Sequence, residues 1–242
     1  MAKMILTDIH CHMLPGVDDG AADVKESMAM LKKAYRDGVR RIIVTPHYRR
    51  GMFEPDPRKV LHRYEKVKEK AAQIGANGIE LYLGCECHRY SGMAQDLRKG
   101  ILPTLAESRY VLVEFSGIDP YSRIRAVIYE LTSAGFVPII AHVERCRCMA
   151  EHLDNVQDAI DLGAKIQVNA ASMLGKHGRQ LKRYCKKLMK HKMIDYIASD
   201  AHDLKVRPLL LRECADYVEK KWGRDTAKRI FVENPSEIIG KK

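Results

Sequence analysis

Short runs of apolar and β-branched residues recur about seven times along the chain, near Ile5 to Ile9, Arg41 to Thr45, Ile79 to Leu83, Tyr110 to Glu114, Val137 to Ala141, Lys165 to Val168 and Tyr196 to Ser199. Helical patterns separate them, and this alternation is the feature that most limits the fold. Strands of this kind need cover on both faces, which parallel strands joined by crossover helices provide. The first helical pattern carries Val24, Met28, Leu31 and Tyr35 at helical spacing, with Asp23 as N-cap, Glu26 three residues on and Gly38 after the last turn. The second opens at Asp56-Pro57 and ends before Gly75, and others close at Gly135 and Gly163.

Polar residues gather where the apolar runs end. The segments are Thr7-Asp8-Ile9-His10-Cys11-His12, Ile42-Ile43-Val44-Thr45-Pro46-His47, Ile139-Ile140-Ala141-His142 and Ile197-Ala198-Ser199-Asp200-Ala201-His202. Strand alternation puts the pair His10/His12 on one face, and likewise Asp200/His202. An open doubly wound sheet would hold the first and last motifs apart unless their strands were neighbours, whereas closure brings them together. The expected fold is therefore α/β, a distorted (β/α)7 barrel of TIM-barrel-like type with its site at the carboxyl ends of the strands. With 242 residues and no linker, internal repeat or low-complexity tract, one domain over residues 1–242 is expected.

The candidate metal ligands are His10, His12, His47, Glu86, Glu114, His142, Asp200 and His202, each at or just past a strand end. Any one of these histidines alone reads more simply as a hydrogen-bonded core or loop residue; their joint placement reverses that. Imidazole with carboxylate suits manganese, iron or zinc, and the set exceeds what one tetrahedral ion uses, so a multinuclear site is implied. Glu114 closes an apolar run, where a carboxylate is costly unless paired or bound to a cation. Its competing role is a salt bridge to a neighbouring strand. Gly84, two residues before Glu86, would let the backbone approach the site. Asp19, in the loop Pro15-Gly16-Val17-Asp18-Asp19-Gly20, could reach the same face or be an ordinary turn residue, and Asp18 is the weaker candidate. Arg145 and Arg207 follow ligand positions closely enough to share their pocket, where a guanidinium fork would bind phosphoryl oxygens; plain surface cations are the equal alternative. Tyr48 and Arg49 would line the entrance.

Composition excludes several other classes. Seven cysteines, with the close spacings Cys85-Glu86-Cys87 and Cys146-Arg147-Cys148, give no disulfide framework and no paired zinc knuckle, so reduced thiols are expected. No cysteine has an arginine six residues later, which a cysteine-based phosphatase requires to hold phosphate. Small apolar packing is the default for Cys11, Cys87 and Cys146, with an auxiliary sulfur ligand as the lesser alternative. Gly175-Lys176 is followed by His177, which rules out a Walker A loop. The net charge of +11 favours anionic partners, yet the basic residues fall on helical faces, such as Lys66, Lys68 and Lys70 or Lys182, Arg183, Lys186 and Lys187. No nucleic-acid signature accompanies them, so solvated faces and no nucleic-acid partner are expected. An acid at Asp8 interrupts any signal-like core, and no stretch is long enough to span a bilayer, so a cytoplasmic protein without membrane insertion is expected.

The residues also point to a family. Asp8-Ile9-His10-Cys11-His12-Met13-Leu14-Pro15-Gly16-Val17-Asp18-Asp19-Gly20, Thr45-Pro46-His47-Tyr48, Gly84-Cys85-Glu86, Ala141-His142-Val143-Glu144-Arg145, Gln167-Val168-Asn169-Ala170 and Ser199-Asp200-Ala201-His202 together resemble one enzyme group. It is the bacterial manganese-dependent protein-tyrosine phosphatases of the polymerase and histidinol phosphatase (PHP) superfamily, in the branch encoded with capsule and exopolysaccharide genes. The likeness runs nearly the whole length, through Asn234-Pro235.

The resemblance implies a PHP barrel and up to three metal ions, with manganese expected and iron or zinc as alternatives. It places the metal ligands on the eight positions above and on Asp19, and the phosphate-binding arginines on Arg145 and Arg207. The implied substrate is phosphotyrosine on a tyrosine kinase of polysaccharide biosynthesis, attacked by a metal-bridged hydroxide without a cysteine phosphoenzyme. Asp200 and His202 are the nominal proton donors to the leaving group, although both are needed as ligands. The rival readings are a small-molecule enzyme such as histidinol phosphatase and a non-catalytic regulatory binding module, with a nuclease last. Assembly into a homo-oligomer is left open. The charge and the Cys85/Cys87/His88 and Cys146/Cys148 elements depart from the branch.

Overall fold

The computed structural model describes residues 4–240. Its strands are β1 (Leu6–Asp8), β2 (Val39–Val44), β3 (His47–Tyr48), β4 (Glu80–Leu83), β5 (Glu86–His88), β6 (Tyr110–Glu114), β7 (Val137–Ile140), β8 (Lys165–Asn169) and β9 (Tyr196–Ala198). All ladders are parallel, in the orders β1-β2-β4 and β3-β5-β6-β7-β8-β9. The two sheets form one curled sheet, because β2 continues into β3 and β4 into β5 after a short bend. Backbone bonds cross that bend, from the Gly84 amide to the Val44 carbonyl at 2.8 Å and from the Glu86 amide to the Pro46 carbonyl at 3.1 Å.

Among the described residues the remaining edges pair through their backbones at the carboxyl end. There Cys11 bridges Ala201 in parallel, the His12 amide donates to the Ala201 carbonyl at 2.8 Å, and the Asp200 amide donates to the His10 carbonyl at 2.9 Å. Lower down, the Asp8 carboxylate accepts from the Ser199 amide at 3.0 Å instead of a strand ladder. The expected distorted barrel is thus a curled parallel sheet joined at the top, with the first and last motifs side by side.

Helices cover the outer face. Helix Val24–Arg36 begins as its sequence predicts, with Asp23 accepting from the Glu26 amide at 2.8 Å and Glu26 accepting from the Ala22 amide at 3.0 Å. Its buried face is wider than and shifted from the expected one: Leu31 is buried and Met28 and Tyr35 pack against the core as expected, Ser27, Met30 and Ala34 join them, and Val24 is exposed. The reason is polar: the Ser27 hydroxyl donates to the Met13 carbonyl at 2.6 Å, which turns that face toward the loop after β1. Helix Pro57–Ala72 is capped by Asp56 accepting from the Arg58 amide at 2.9 Å. Among the described residues no helix is long and apolar enough to cross a membrane.

Alternation along the strands sorts the interior into two layers. Val111, Val113, Ile140, Ile166, Val168 and Ile197 face the helices, in the large outer core. Tyr110, Leu112, Ile139, Tyr196 and Ala198 face inward and form a smaller cluster that Leu105 and Ile238 close from below. Continuing the same inward positions upward gives Glu86, Glu114, Gln167, Asn169 and Asp200. Gly84 belongs to this series and corrects the expectation for it, since a Cβ there would meet the Leu105 side chain at 2.6 Å and Ile43 at 3.0 Å. It is small because the barrel interior has no room, not because it approaches the site.

Candidate metal centre

The carboxyl end gathers the expected ligands. Donor atoms of His10, His12, Glu86 and Asp200 lie within 4.8 Å of one another, as do those of His12, Asp19, His47 and His202, and those of His47, Glu86 and Glu114. His12, His47 and Glu86 are each shared between groups. The Nε2 atoms of His10 and His12 are 3.2 Å apart, and both stand 3.1–3.2 Å from Glu86 Oε2. His47 spans two groups, with Nδ1 3.0 Å from Glu86 Oε2 and Nε2 3.5 Å from Asp19 Oδ1. His142 lies outside those groups but touches them, with Nε2 2.8 Å from Glu86 Oε1 and 3.9 Å from Glu114 Oε1. Two of these residues, His142 and Asp200, have left-handed backbones with φ of 32° and 52°. Such strain costs on the order of 1–3 kcal/mol and persists where the surroundings impose it.

The atoms behind the cluster decide whether it suits cations. Nδ1 of His12 contacts Asp18 at 2.7 Å, Nδ1 of His10 contacts the Gln167 side-chain oxygen at 3.3 Å, and Nδ1 of His202 contacts the Asp200 carbonyl at 2.9 Å. Each partner is an acceptor, so the network puts the ring proton on Nδ1 and turns an Nε2 lone pair toward the centre, as metal-ligating histidines require. Asp200 is held by Asn169 at 2.6 Å and Arg145 at 3.1 Å, both on Oδ2, which leaves Oδ1 to the cluster. Glu86 Oε2 and His202 Nε2 are buried and have no hydrogen-bond partner. Lone pairs converging in the absence of donors fit cations, and this residue set fits them well.

The charges agree. Burial opposes ionisation of Glu86, but the charge of His10 and contacts from His10, His12 and His142 outweigh it and hold the carboxyl well below its usual range. Burial likewise disfavours charged His12, yet Asp18 and Glu86 raise it well above an ordinary imidazole. Burial and the neighbouring His12 push His202 down to about 4. Six of the thiols are the opposite of activated: burial foremost lifts Cys11, Cys146, Cys148, Cys185 and Cys214, and contact with Cys87 together with burial lifts Cys85.

Arg145 and Arg207 stand at the rim, each about one-third exposed, and Arg207 bonds Asp19 Oδ2 at 2.8 Å. Both line a cleft of about 300 Å³ that opens beside Asp200. Tyr48 lines a second cavity, beside His47, with the apolar side chains Leu61, Leu83 and Ile101. The Arg49 backbone pairs with Phe53 beside this cavity, and its side chain is exposed. Sequence reasoning undervalued Asp18, which accepts from the Gly20 and His47 amides as well as orienting His12. It also gave no role to Gln167, Asn169 or buried Glu144, although Gln167 and Asn169 alternate with Ile166 and Val168 and so had to face inward.

A parallel barrel with histidines and carboxylates at its upper rim defines a class of metal-dependent hydrolase folds. The phosphotriesterase homology protein of Escherichia coli shares that fold alone, with a TM-score of 0.61 at 14% identity over 99% of this chain and 100% of that one. A family model for capsular polysaccharide synthesis proteins, CpsB/CapC, matches residues 6–240, and the chain belongs to that family. It is 34% identical to the tyrosine-protein phosphatase CpsB of Streptococcus pneumoniae over 97% of this chain and 98% of the relative. Against the tyrosine-protein phosphatase YwqE of Bacillus subtilis the identity is 33%, over 91% of this chain and 86% of the relative. A crystal structure from work on YwqE and CpsB, described as unique metal-dependent tyrosine phosphatases, superposes with a TM-score of 0.88 at 32% identity, covering 97% of this chain and 94% of that one.

Proposed function

We propose that the chain is a metal-dependent protein-tyrosine phosphatase acting in the cytoplasm on a phosphorylated tyrosine kinase of capsule or exopolysaccharide synthesis. The observation that carries this reading is the pairing of the two rim arginines with the ligand carboxylates, Arg145 with Asp200 and Arg207 with Asp19. Guanidinium groups so placed can accept a phosphoryl group at the edge of the cluster. Membership of a family whose relatives are tyrosine-protein phosphatases supports a phosphotyrosine protein as the substrate.

His10, His12, Asp19, His47, Glu86, Glu114, His142, Asp200 and His202 would hold up to three ions, manganese by preference and iron or zinc otherwise. Bound there, the ions would polarise the phosphoryl group and acidify a water. The protein's own groups do the rest. Asp18 and Gln167 fix His12 and His10 in the ligating tautomer, and Asn169 aims Asp200. Arg145 and Arg207 orient the phosphoryl oxygens and offset the charge that develops on them. Asp200 and His202 are engaged as ligands, so the phenolate, a fair leaving group, takes its proton from water. The buried thiols with raised pKa values support a route without a cysteine phosphoenzyme.

A comparison of a phosphotyrosine peptide with histidinol phosphate, with manganese and after chelation, tests the reading. The peptide should be preferred, and chelation should abolish turnover of both. Preference for histidinol phosphate would overturn the protein-phosphatase assignment, and activity surviving complete metal removal would overturn the metal-dependent one.

A further inference from the structure

The cleft beside Asp200 is more basic than a single phosphate requires. Besides Arg145 and Arg207 it is lined by Lys176, His177 and Lys205, while its only carboxylate is Asp200, already engaged by Arg145 and Asn169. Lys176 and Lys205 are exposed and form no ion pair among the described residues, unlike Arg145 and Arg207.

Their placement is built rather than accidental. Lys205 and Arg207 lie on one turn, in which the Asp203 carboxylate accepts from the backbone amides of Lys205, Val206 and Arg207 at 2.5–3.3 Å. That turn orders the backbone that carries Lys205 and Arg207 at the cleft. On another segment of the lining, Nδ1 of His177 lies 3.0 Å from the buried Ser172 hydroxyl. A hydroxyl proton donated there leaves Nε2–H on the ring as a donor. Lys176 adjoins it. The cleft therefore continues past the two arginines as a second group of anion-seeking donors.

Resting on the phosphatase reading above, we infer that Lys176, His177 and Lys205 form a subsite for a second negative charge on the substrate polypeptide, close to the phosphotyrosine being hydrolysed. The anion is a carboxylate or another phosphotyrosine on the same chain; both offer oxygens to the same donors. The subsite selects substrates and takes no part in the chemical step. Two exposed lysines facing an anion give about tenfold in kcat/KM, and the gain shrinks as salt rises.

The test uses three phosphotyrosine peptides of one length, with the flanking positions filled by glutamine, by glutamate or by a second phosphotyrosine, assayed with manganese at low and high salt. The readout is the ratio of kcat/KM for each anionic peptide to that of the glutamine peptide, which cancels any general loss in a variant. The wild-type protein should favour at least one anionic peptide by about tenfold, and the identity of that peptide distinguishes carboxylate from phosphate. The double variant K176A/K205A should bring the ratio near unity, and K176E/K205E should bring it below unity. A wild-type ratio of one, or a ratio unchanged in both variants, would overturn the subsite while leaving the phosphatase reading intact. Failure to hydrolyse any of the peptides would overturn both.

Discussion

The upper and lower layers of the barrel interior are built from the same strands by the same alternation, yet they do opposite things. In β6, Leu112 is fully buried in the apolar layer and Glu114, two residues on, joins the candidate metal-binding cluster. In β9, Tyr196 and Ala198 fill the lower layer, and Asp200 is the next inward position. The lower layer is lined mainly by apolar side chains, which need contact alone. The upper layer holds buried charges, an orphaned carboxylate oxygen on Glu86 and an orphaned nitrogen on His202, which contact alone leaves unsatisfied. The difference teaches that apolar contact alone completes the lower layer, whereas the upper layer calls for cations to complete it.

Substitutions that hit one layer and spare the other would break or sharpen this division. Asp200→Ala has the largest expected effect: a loss of turnover of at least about 10³-fold on a phosphotyrosine peptide. The thermal midpoint of the metal-free protein should move little. Near-normal rates would remove Asp200 from the site. Leu112→Ala should do the reverse, costing about 2–5 kcal/mol in denaturant unfolding because it leaves a cavity between strands that cannot collapse. The kcat of the folded fraction should stay close to wild type. Large changes in both quantities for either variant would show that the layers are not separable.

The division was partly legible in the sequence. The apolar runs, the Asp23 and Asp56 caps and the terminal histidines were readable because each is a local signal with a local cause. What escaped notice depends on contacts between distant segments. The turn of helix Val24–Arg36 onto its Ser27 face is set by the Met13 carbonyl. The role of Asp18 emerges only once the loop folds back on His12 and β3. The bends that split β2 from β3 and β4 from β5 fall at Pro46 and Gly84, a local signal that was passed over, whereas the closing of the barrel bottom by Ile238 leaves none. Gln167 and Asn169 were readable and were passed over, since polar residues alternating with Ile166 and Val168 belong on the inward face.

A third test sits at the seam between rings and ions. Asp18→Asn keeps the shape of the side chain but removes the charge that fixes the His12 proton on Nδ1. Metal affinity should fall about 10–100-fold, as for other partners of ligating histidines. A metal titration read by restored turnover checks this, with unfolding of the metal-free protein as the companion measurement. An unchanged affinity would mean that His12 keeps its orientation through packing alone, and the upper layer would then owe less to its polar surroundings than the geometry indicates.

The smallest effect is expected at the outer rim, where the ligand-bearing strands are tied to each other. Arg89, just past β5, makes two bonds to the Asp119 carboxylate at 2.7 and 2.9 Å, and Asp119 lies in the loop after β6. Burial alone would raise the Asp119 carboxyl, but Arg89, the Ser116 amide and Arg123 outweigh it and hold the group below its usual range. The sign follows from that direction. A carboxyl with a lower pKa in the folded state contributes stability that is fully present above the unfolded value of about 3.9 and is lost as pH falls through the folded value. Asp119→Asn should therefore cost about 1–2 kcal/mol at neutral pH, discounted for the partial exposure of both arginines. The cost should vanish in strong acid, where the wild-type carboxyl is also neutral. Urea unfolding of both proteins from neutral pH down to about pH 2 measures the convergence, which spans the interval between the two pKa values. Curves that stay parallel would show that the Asp119 charge is irrelevant and that only its shape holds the strands carrying Glu86 and Glu114 together.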